Sequence, residues 1–299
     1  MIRAYNHDRD DTGQLQMEHP TPKAQPDAKV IHENVRAALA EDVGKGDVTA
    51  TLIEPEAQAL ACVFSRDRGI FCGIPWAAEV CTQVDADIQL NWLVADGDNI
   101  EVDSTIVELV GRARSLLTVE RTMLNFLQLL SGTATQAHAC VAVIKHTKTR
   151  VLDTRKTLPG LRIAQKYAVS VGGANNHRTG LYDAFLIKEN HIVALGGIAT
   201  VVEQARALHP DLPVEVEVEN LEQLDEALGA SPDIIMLDNF STDEMTKAVR
   251  RNNSLAKIEA SGGLTLSDLS TVAHTGVDYI SIGAITKNVN PLDLSMRFK

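Results

Sequence analysis

Six short apolar stretches in the second half of the chain each run into residues capable of chemistry. Leu152-Asp153 leads into Thr154-Arg155-Lys156, and Ala184 to Ile187 leads into Lys188-Glu189-Asn190. Val214 to Val218 carries Glu215 and Glu217 and continues into Glu219-Asn220, while Ile234 to Leu237 ends in Asp238-Asn239. Ile258 is followed by Glu259-Ala260-Ser261-Gly262-Gly263, and Ile280 to Ile282 by Gly283. Arg supplies a planar fork for carboxylate or phosphate and Lys a compact point charge. Two carboxylates, Glu217 and Asp238, near Lys188 suit a Mg²⁺ ion held jointly with substrate oxygens. Together the set fits a highly anionic, phosphorylated substrate.

The cations Arg155, Lys156, Arg162 and Lys166 fall close together in an acidic protein, which predicts anion binding. The run VGGANNHRTG adds glycines that let backbone amides approach an anion, with His177 and Arg178 as further donors. It lacks the Walker A spacing. In VEVEVEN, alternation sends Glu215, Glu217 and Glu219 to one face, where buried acids are costly unless they serve a purpose. The turns Ser261-Gly262-Gly263 and Ser281-Ile282-Gly283 come late in the series, the usual phosphate-binding position of a barrel, and Lys287 adds charge.

Strands that are apolar inside and chemical at their carboxyl ends belong to an α/β barrel, whose site is built from the loops after the strands. From residue 131 to about 285 the pattern alternates strand and helix, the rhythm of a parallel sheet. Six strand signals fall short of eight, so the expected fold is an incomplete, open α/β barrel with a smaller α/β sandwich domain. In the sandwich, Ile31, Val35, Ala38 and Leu39 recur at helical spacing over about 30–41. Strands are expected at 61–64, 88–93 and 106–109, and a helix at 75–84. A strong helix over 115–130 is expected to stop at Ser131-Gly132. The predicted divisions are a polar arm at 1–28, the sandwich at 29–130 and the barrel at 131–275. A segment at 276–299 then carries the final barrel strand and returns to the sandwich.

The 299 residues carry a formal net charge of -12, which argues against nucleic acid as a partner because phosphate backbones demand a basic face. No run approaches the roughly 18 apolar residues of a membrane helix, and residues 1–28 lack a signal-peptide core. The acids of the turn at 41–47 do not match an EF-hand loop. Cys62, Cys72, Cys81 and Cys140 show no metal-ligand spacing and read as buried, reduced thiols of a cytoplasmic protein.

The segments DTRKTLPGLR, GGANNHRTGLYDAFLIKENH, VEVEVEN, IIMLDNF, SGG and ISIGA, with ERTMLNFLQLLSG upstream, resemble bacterial quinolinate phosphoribosyltransferases from about residue 30 to the C-terminus. The resemblance implies a homodimer in which the sandwich of one subunit covers the open barrel of the other. It implies that quinolinate's carboxylates are held by Arg155, His177, Arg178 and Lys188, with Arg121 reaching across the interface. Phosphoribosyl pyrophosphate would rest on Thr154, Lys156, Glu217, Asp238 and Mg²⁺, its 5′-phosphate on Ser261, Gly262, Gly263, Ile282, Gly283, Ala284 and Lys287. Lys156, Lys188, Glu217 and Asp238 would be catalytic, and no organic cofactor is required. Two other readings stay open on the residues alone: a Schiff-base aldolase using Lys188, and a phosphometabolite-binding regulator without turnover.

Overall fold

The computed structural model describes residues 26–299, together with two short antiparallel strands, β1 (Asp8–Arg9) and β2 (Leu15–Gln16). The rest of the polar arm expected over 1–28 lies outside the described residues. Helix α1 (Ala28–Asp42) starts at Asp27, whose carboxylate accepts the Lys29 N–H, and buries Ile31 and Val35. A four-stranded antiparallel sheet follows in spatial order β14-β3-β7-β5, from β3 (Gln58–Ser65), β5 (Gln89–Trp92), β7 (Thr105–Arg112) and β14 (Leu294–Phe298). Strands β4 (Gly69–Ile70) and β6 (Asn99–Ile100) form a small separate pair. Helix α2 (Ile74–Val84) packs against α1, with Trp76 fully buried.

Helix α3 (Ala113–Ile144) runs for 32 residues, about 48 Å at 1.5 Å per residue, and passes straight through Ser131-Gly132. The expected stop is therefore wrong, and the reason is packing. A Cβ on Gly132 would lie 2.3 Å from the Asn290 carbonyl oxygen, so the glycine permits a close chain crossing. Ser131 Oγ donates to the Cys72 carbonyl and accepts the Cys72 N–H, filling the role of a buried tether. Leu116, Met123 and Leu127 in the first half belong to the sandwich core, while Ala137, Cys140 and Ile144 belong to the barrel core.

The six barrel strands are β8 (Arg150–Leu152), β9 (Phe185–Ile187), β10 (Val214–Val218), β11 (Ile234–Asp238), β12 (Lys257–Ser261) and β13 (Tyr279–Ser281). All run parallel in the order β8-β13-β12-β11-β10-β9, so the barrel is open between β8 and β9. A lone parallel bridge from Leu152 to Asn175 extends the β8 side. Connecting helices are α4 (Arg162–Val171), α5 (Glu189–Leu195), α6 (Ile198–Leu208), α7 (Leu221–Ala230), α8 (Thr242–Asn252), α9 (Leu269–Ala273) and α10 (Ala284–Lys287). Strand ends pass into helices through sharp caps: Asn220 accepts the Gln223 N–H, and Ser241 with Glu244 forms a capping box. Leu152, Ala184, Ile234 and Tyr279 form a small apolar cluster of their own beneath the strand ends. Strand β14 then pairs antiparallel with β3 in the sandwich sheet.

Asp96 ties the units together. Asp96 accepts the N–H groups of Gly73 and Ile74 at the start of α2 and the hydroxyl of Tyr167 from α4, the last at 2.7 Å. All four cysteines are free and buried, and burial pushes the Cys81 thiol up to about 12 and Cys140 up to about 11. Among the described residues no helix is long and apolar enough to cross a membrane.

Candidate active site

The carboxyl ends of the barrel strands enclose a cavity of about 290 Å³. Thr154, Arg155 and Lys156 enter it from the loop after β8, and His177 and Arg178 from the segment beside that strand. Lys188 comes from the end of β9, Glu217 from β10, Asp238 from β11, and Ser261 and Gly262 from β12. Period-two alternation explains the selection: Glu217, Met236, Asp238, Ser261 and Ser281 present the lumen face of parallel strands whose other face meets the helices.

The cations divide into two kinds. Lys188 pairs with Glu217, and the lysine side chain is 45% exposed against 16% for the glutamate, so the pair faces the cavity. Lys166, in contrast, is fully buried. Its Nζ donates to Asp153 Oδ1 at 2.5 Å and to the His177 carbonyl at 2.7 Å. Arg162 donates to Thr157 Oγ1 and to the carbonyls of Thr179 and Arg155. The sequence expectation that Arg162 and Lys166 bind substrate anions is therefore corrected: both are committed to holding the loops that present Arg155, Lys156 and Arg178.

The Lys156 loop is held from two further sides. Thr286 Oγ1 donates to the Lys156 carbonyl, and the Lys156 N–H donates to Thr154 Oγ1. Gly283 lies against the lysine stem, where an added Cβ would sit 2.8 Å from Lys156 Cδ. Gly262 adopts φ +105, and a Cβ there would come within 2.3 Å of Asn239 Oδ1. Asn239 in turn donates from Nδ2 to Asp238 Oδ2, fixing the carboxylate that faces the cavity.

Other expected residues are placed differently. Arg121 is exposed on α3 and does not line this cavity, nor do Gly263, Ile282, Gly283, Ala284 and Lys287. Ile282 is a core side chain whose N–H donates to the Leu152 carbonyl, and Lys287 ends α10 in solvent. Glu219 lies just past β10 and is exposed, apart from the inward pair Glu215 and Glu217.

At the cavity floor and beneath it sits a cluster only half visible in the sequence. His177 is 4% exposed, Glu215 2% and Glu259 0%. His177 Nε2 lies 3.0 Å from Glu215 Oε2 and 3.6 Å from Glu259 Oε2, while Nδ1 accepts the Arg178 N–H at 2.8 Å. Burial opposes charging the ring, while the carboxylates of Glu215 and Glu259 favour it. A second ring proton would have to enter at Nδ1, where the Arg178 N–H already points. The geometry therefore keeps a neutral ring with its proton on Nε2. Glu259 is pushed up to about 8 by burial and then by Glu215. The available signal for Glu259 was its alternation with Lys257 and Ser261 against Ile258 and Ala260, which puts an acid on the lumen face of β12.

Family models for quinolinate phosphoribosyl transferase match the chain twice, the N-terminal domain over residues 47–131 and the C-terminal domain over 133–297. A probable nicotinate-nucleotide pyrophosphorylase (carboxylating) of Synechocystis is 42% identical over 263 residues, covering 87% of this chain and 89% of that protein. The Mycobacterium leprae nicotinate-nucleotide pyrophosphorylase (carboxylating) is 41% identical, with 88% and 95% covered. The solved nicotinate-nucleotide pyrophosphorylase of Francisella tularensis superposes with a TM-score of 0.91 at 46% identity, covering 93% of this chain and 99% of its own. An open six-stranded barrel with cations and carboxylates at its strand ends, joined to a sandwich, with one family model matching each, makes this chain a member of the quinolinate phosphoribosyl transferase family.

Proposed function

We propose that this protein transfers the phosphoribosyl group of phosphoribosyl pyrophosphate to the ring nitrogen of quinolinate. Pyrophosphate and CO2 are released, and the product is nicotinate mononucleotide for NAD biosynthesis in the cytoplasm. The observation that carries this reading is the single cavity in which Arg155, Lys156, Arg178 and Lys188 meet Glu217 and Asp238. Four cations accommodate two polyanions, whereas plain anion binding gains nothing from two acids.

Quinolinate's carboxylates are assigned to Arg155, Arg178 and Lys188 over a floor formed by His177. The donor's charged groups are assigned to Thr154, Lys156, Glu217 and Asp238, with its 5′-phosphate near Ser261, Gly262, Gly263 and the Ile282-Gly283-Ala284 turn, and Lys287 beyond. Glu217 and Asp238 offer only hard carboxylate oxygens, fitting Mg²⁺ held jointly with substrate oxygens. When bound there, such an ion would neutralise charge on the leaving pyrophosphate.

The pyridine nitrogen is already a nucleophile, so no general base is needed. Its lone pair forms the bond to the ribose anomeric carbon as the bond to pyrophosphate breaks and that electron pair leaves with the pyrophosphate. Carboxylates beside the anomeric carbon offset the positive charge that develops there. The positive charge of the resulting pyridinium stabilises the electron pair that stays on the adjacent carbon when CO2 departs, and that pair then takes a proton. The chain's main contribution is to hold two mutually repelling anions in register.

Exposed Val48 and Leu52 on the sandwich, and Leu181 and Tyr182 by the open side of the barrel, support a homodimer with the sites shared. In that assembly Arg121 completes the partner's cavity. Mixing Arg121→Ala and Lys188→Ala subunits then restores part of the activity, and a verified mixed dimer without restoration excludes the shared site.

The decisive experiment supplies purified protein with phosphoribosyl pyrophosphate, Mg²⁺ and either quinolinate or nicotinate, following nicotinate mononucleotide and CO2. Product and CO2 from quinolinate alone are expected. Product from nicotinate alone overturns the carboxylate assignment, and binding without turnover restores the regulator. Borohydride trapping with carbonyl substrates should give no adduct, because Lys188 is half-exposed and already paired with Glu217.

A further inference from the structure

Glu215 and Glu259 occupy the barrel lumen one layer below the cavity, among the most buried polar groups of the protein. Apolar side chains fill the neighbouring lumen positions Leu152, Ala184, Ile234 and Tyr279, so two acids are not needed to plug the barrel. Replacing buried ionic groups by apolar ones of similar volume is often neutral or stabilising, which makes acids here a poor choice for stability alone. Their geometry suggests what they do instead. His177 Nε2 is aimed between them, and the other ring nitrogen accepts the backbone N–H of Arg178. The backbone of His177 is pinned as well: its N–H donates to Asp153 Oδ1 at 2.9 Å, and its carbonyl accepts Lys166 Nζ.

We propose that Glu215 and Glu259 are positioning residues that act through the His177 ring to fix Arg178 in the cavity. Strands β10 and β12 thereby set the placement of a guanidinium carried by the segment beside β8. Its NH1 group donates to the Ala184 carbonyl at 3.4 Å. The three ligand-type atoms lie within 4.8 Å of one another, but a metal is not what joins them. With the Arg178 N–H directed at Nδ1, the ring proton sits on Nε2, 3.0 Å from Glu215 Oε2, so that nitrogen has no lone pair for a cation.

This inference rests on the reading of quinolinate as the ligand of Arg178, and the experiment separates the two. KM for quinolinate, KM for phosphoribosyl pyrophosphate, kcat and Tm are measured for wild type, Glu215→Leu, Glu215→Gln and Glu259→Leu. Glu215→Leu should keep or raise Tm, raise KM for quinolinate about tenfold and leave KM for the donor within about twofold, the tenfold corresponding to about 1.4 kcal/mol. Glu215→Gln should recover most of the affinity, since the amide oxygen still accepts from Nε2–H. Glu259→Leu provides the same test if Glu215→Leu does not fold. An unchanged quinolinate KM in a folded leucine variant overturns the inference while leaving the function intact. So does a joint loss in both KM values and Tm, the mark of a merely structural role. Stoichiometric metal in wild type that disappears in Glu259→Gln overturns it in favour of a cation site. Wild-type protein that binds no quinolinate removes the functional reading and the inference with it.

Discussion

Lys166→Met separates a cation that binds substrate from one that holds the fold. Lys166 and Asp153 are both fully buried, and methionine fills a similar volume without charge. The variant leaves Asp153 with only the Asn176 amide at 2.7 Å and the His177 N–H at 2.9 Å as donors. Removing one partner of a buried pair costs about 3–5 kcal/mol, because the other charge is stranded. At about 2–4 °C per kcal/mol for a chain of this size, Tm should fall by about 6–20 °C. Burial raises the Asp153 pKa, and Lys166 is the main force opposing that rise. In the variant the opposition is gone, so the folded pKa stands above the unfolded value of about 4. A raised folded pKa contributes stability that is present at low pH and lost as pH rises through it. The Tm deficit should therefore shrink between pH 8 and pH 5. Circular dichroism melts across that range, paired with kcat/KM, provide the assay. A Tm within about 2 °C of wild type together with lost substrate affinity would refute the buried-pair account and return Lys166 to the anion site.

Lys188→Ala should do the reverse. The pair with Glu217 faces solvent, so Tm moves by less than about 2 °C, while loss of a charge-assisted contact of about 1.5–3 kcal/mol lowers kcat/KM about 10- to 100-fold. Wild-type kinetics would remove Lys188 from the site. Gly132→Ala gains up to about 1 kcal/mol of helix propensity, yet its Cβ meets the Asn290 carbonyl at 2.3 Å. Overpacking of about 1–3 kcal/mol should prevail and lower Tm, and a higher Tm would show that the crossing relaxes freely. Asp85 is held by Arg112 and Ser115, which pull its pKa down to about 2. A depressed pKa gives stability that is full above about pH 4 and fades as pH falls towards 2. The Tm gap between wild type and Asp85→Asn should thus be widest near neutrality and narrow below pH 4, whereas a pH-independent gap excludes the carboxylate as its source.

The barrel was legible in the sequence because parallel strands buried on both faces read as unbroken apolar runs, and their ends change character abruptly. Thr154, Lys188, Glu217, Asp238 and Gly262 stood out for that reason. The function of Lys166 was not legible, since its partner Asp153 lies at a strand end thirteen residues away and only the fold reveals that both face inward. Arg162 misled in the same way: a guanidinium that bonds three loop groups looks, in sequence, like one waiting for an anion. Gly132 was read as punctuation because local rules associate glycine with helix ends, whereas the crossing chain at Asn290 is distant in sequence. Glu215 was visible through the regular alternation of β10, but Glu259 stands alone in a five-residue strand with no second acid to reveal the period.

Strand β14 pairs with β3 along its length, from Leu294 opposite Ser65 to Phe298 opposite Ala61. During synthesis, β3, β5 and β7 emerge long before their fourth strand exists. At about 5–20 residues per second the delay is on the order of ten seconds to a minute. Throughout that interval one side of β3 offers unpaired amides and carbonyls to any neighbouring nascent chain. The arrangement makes the sandwich a late-maturing module despite its early place in the chain, and it concentrates the aggregation hazard of biogenesis on one strand edge.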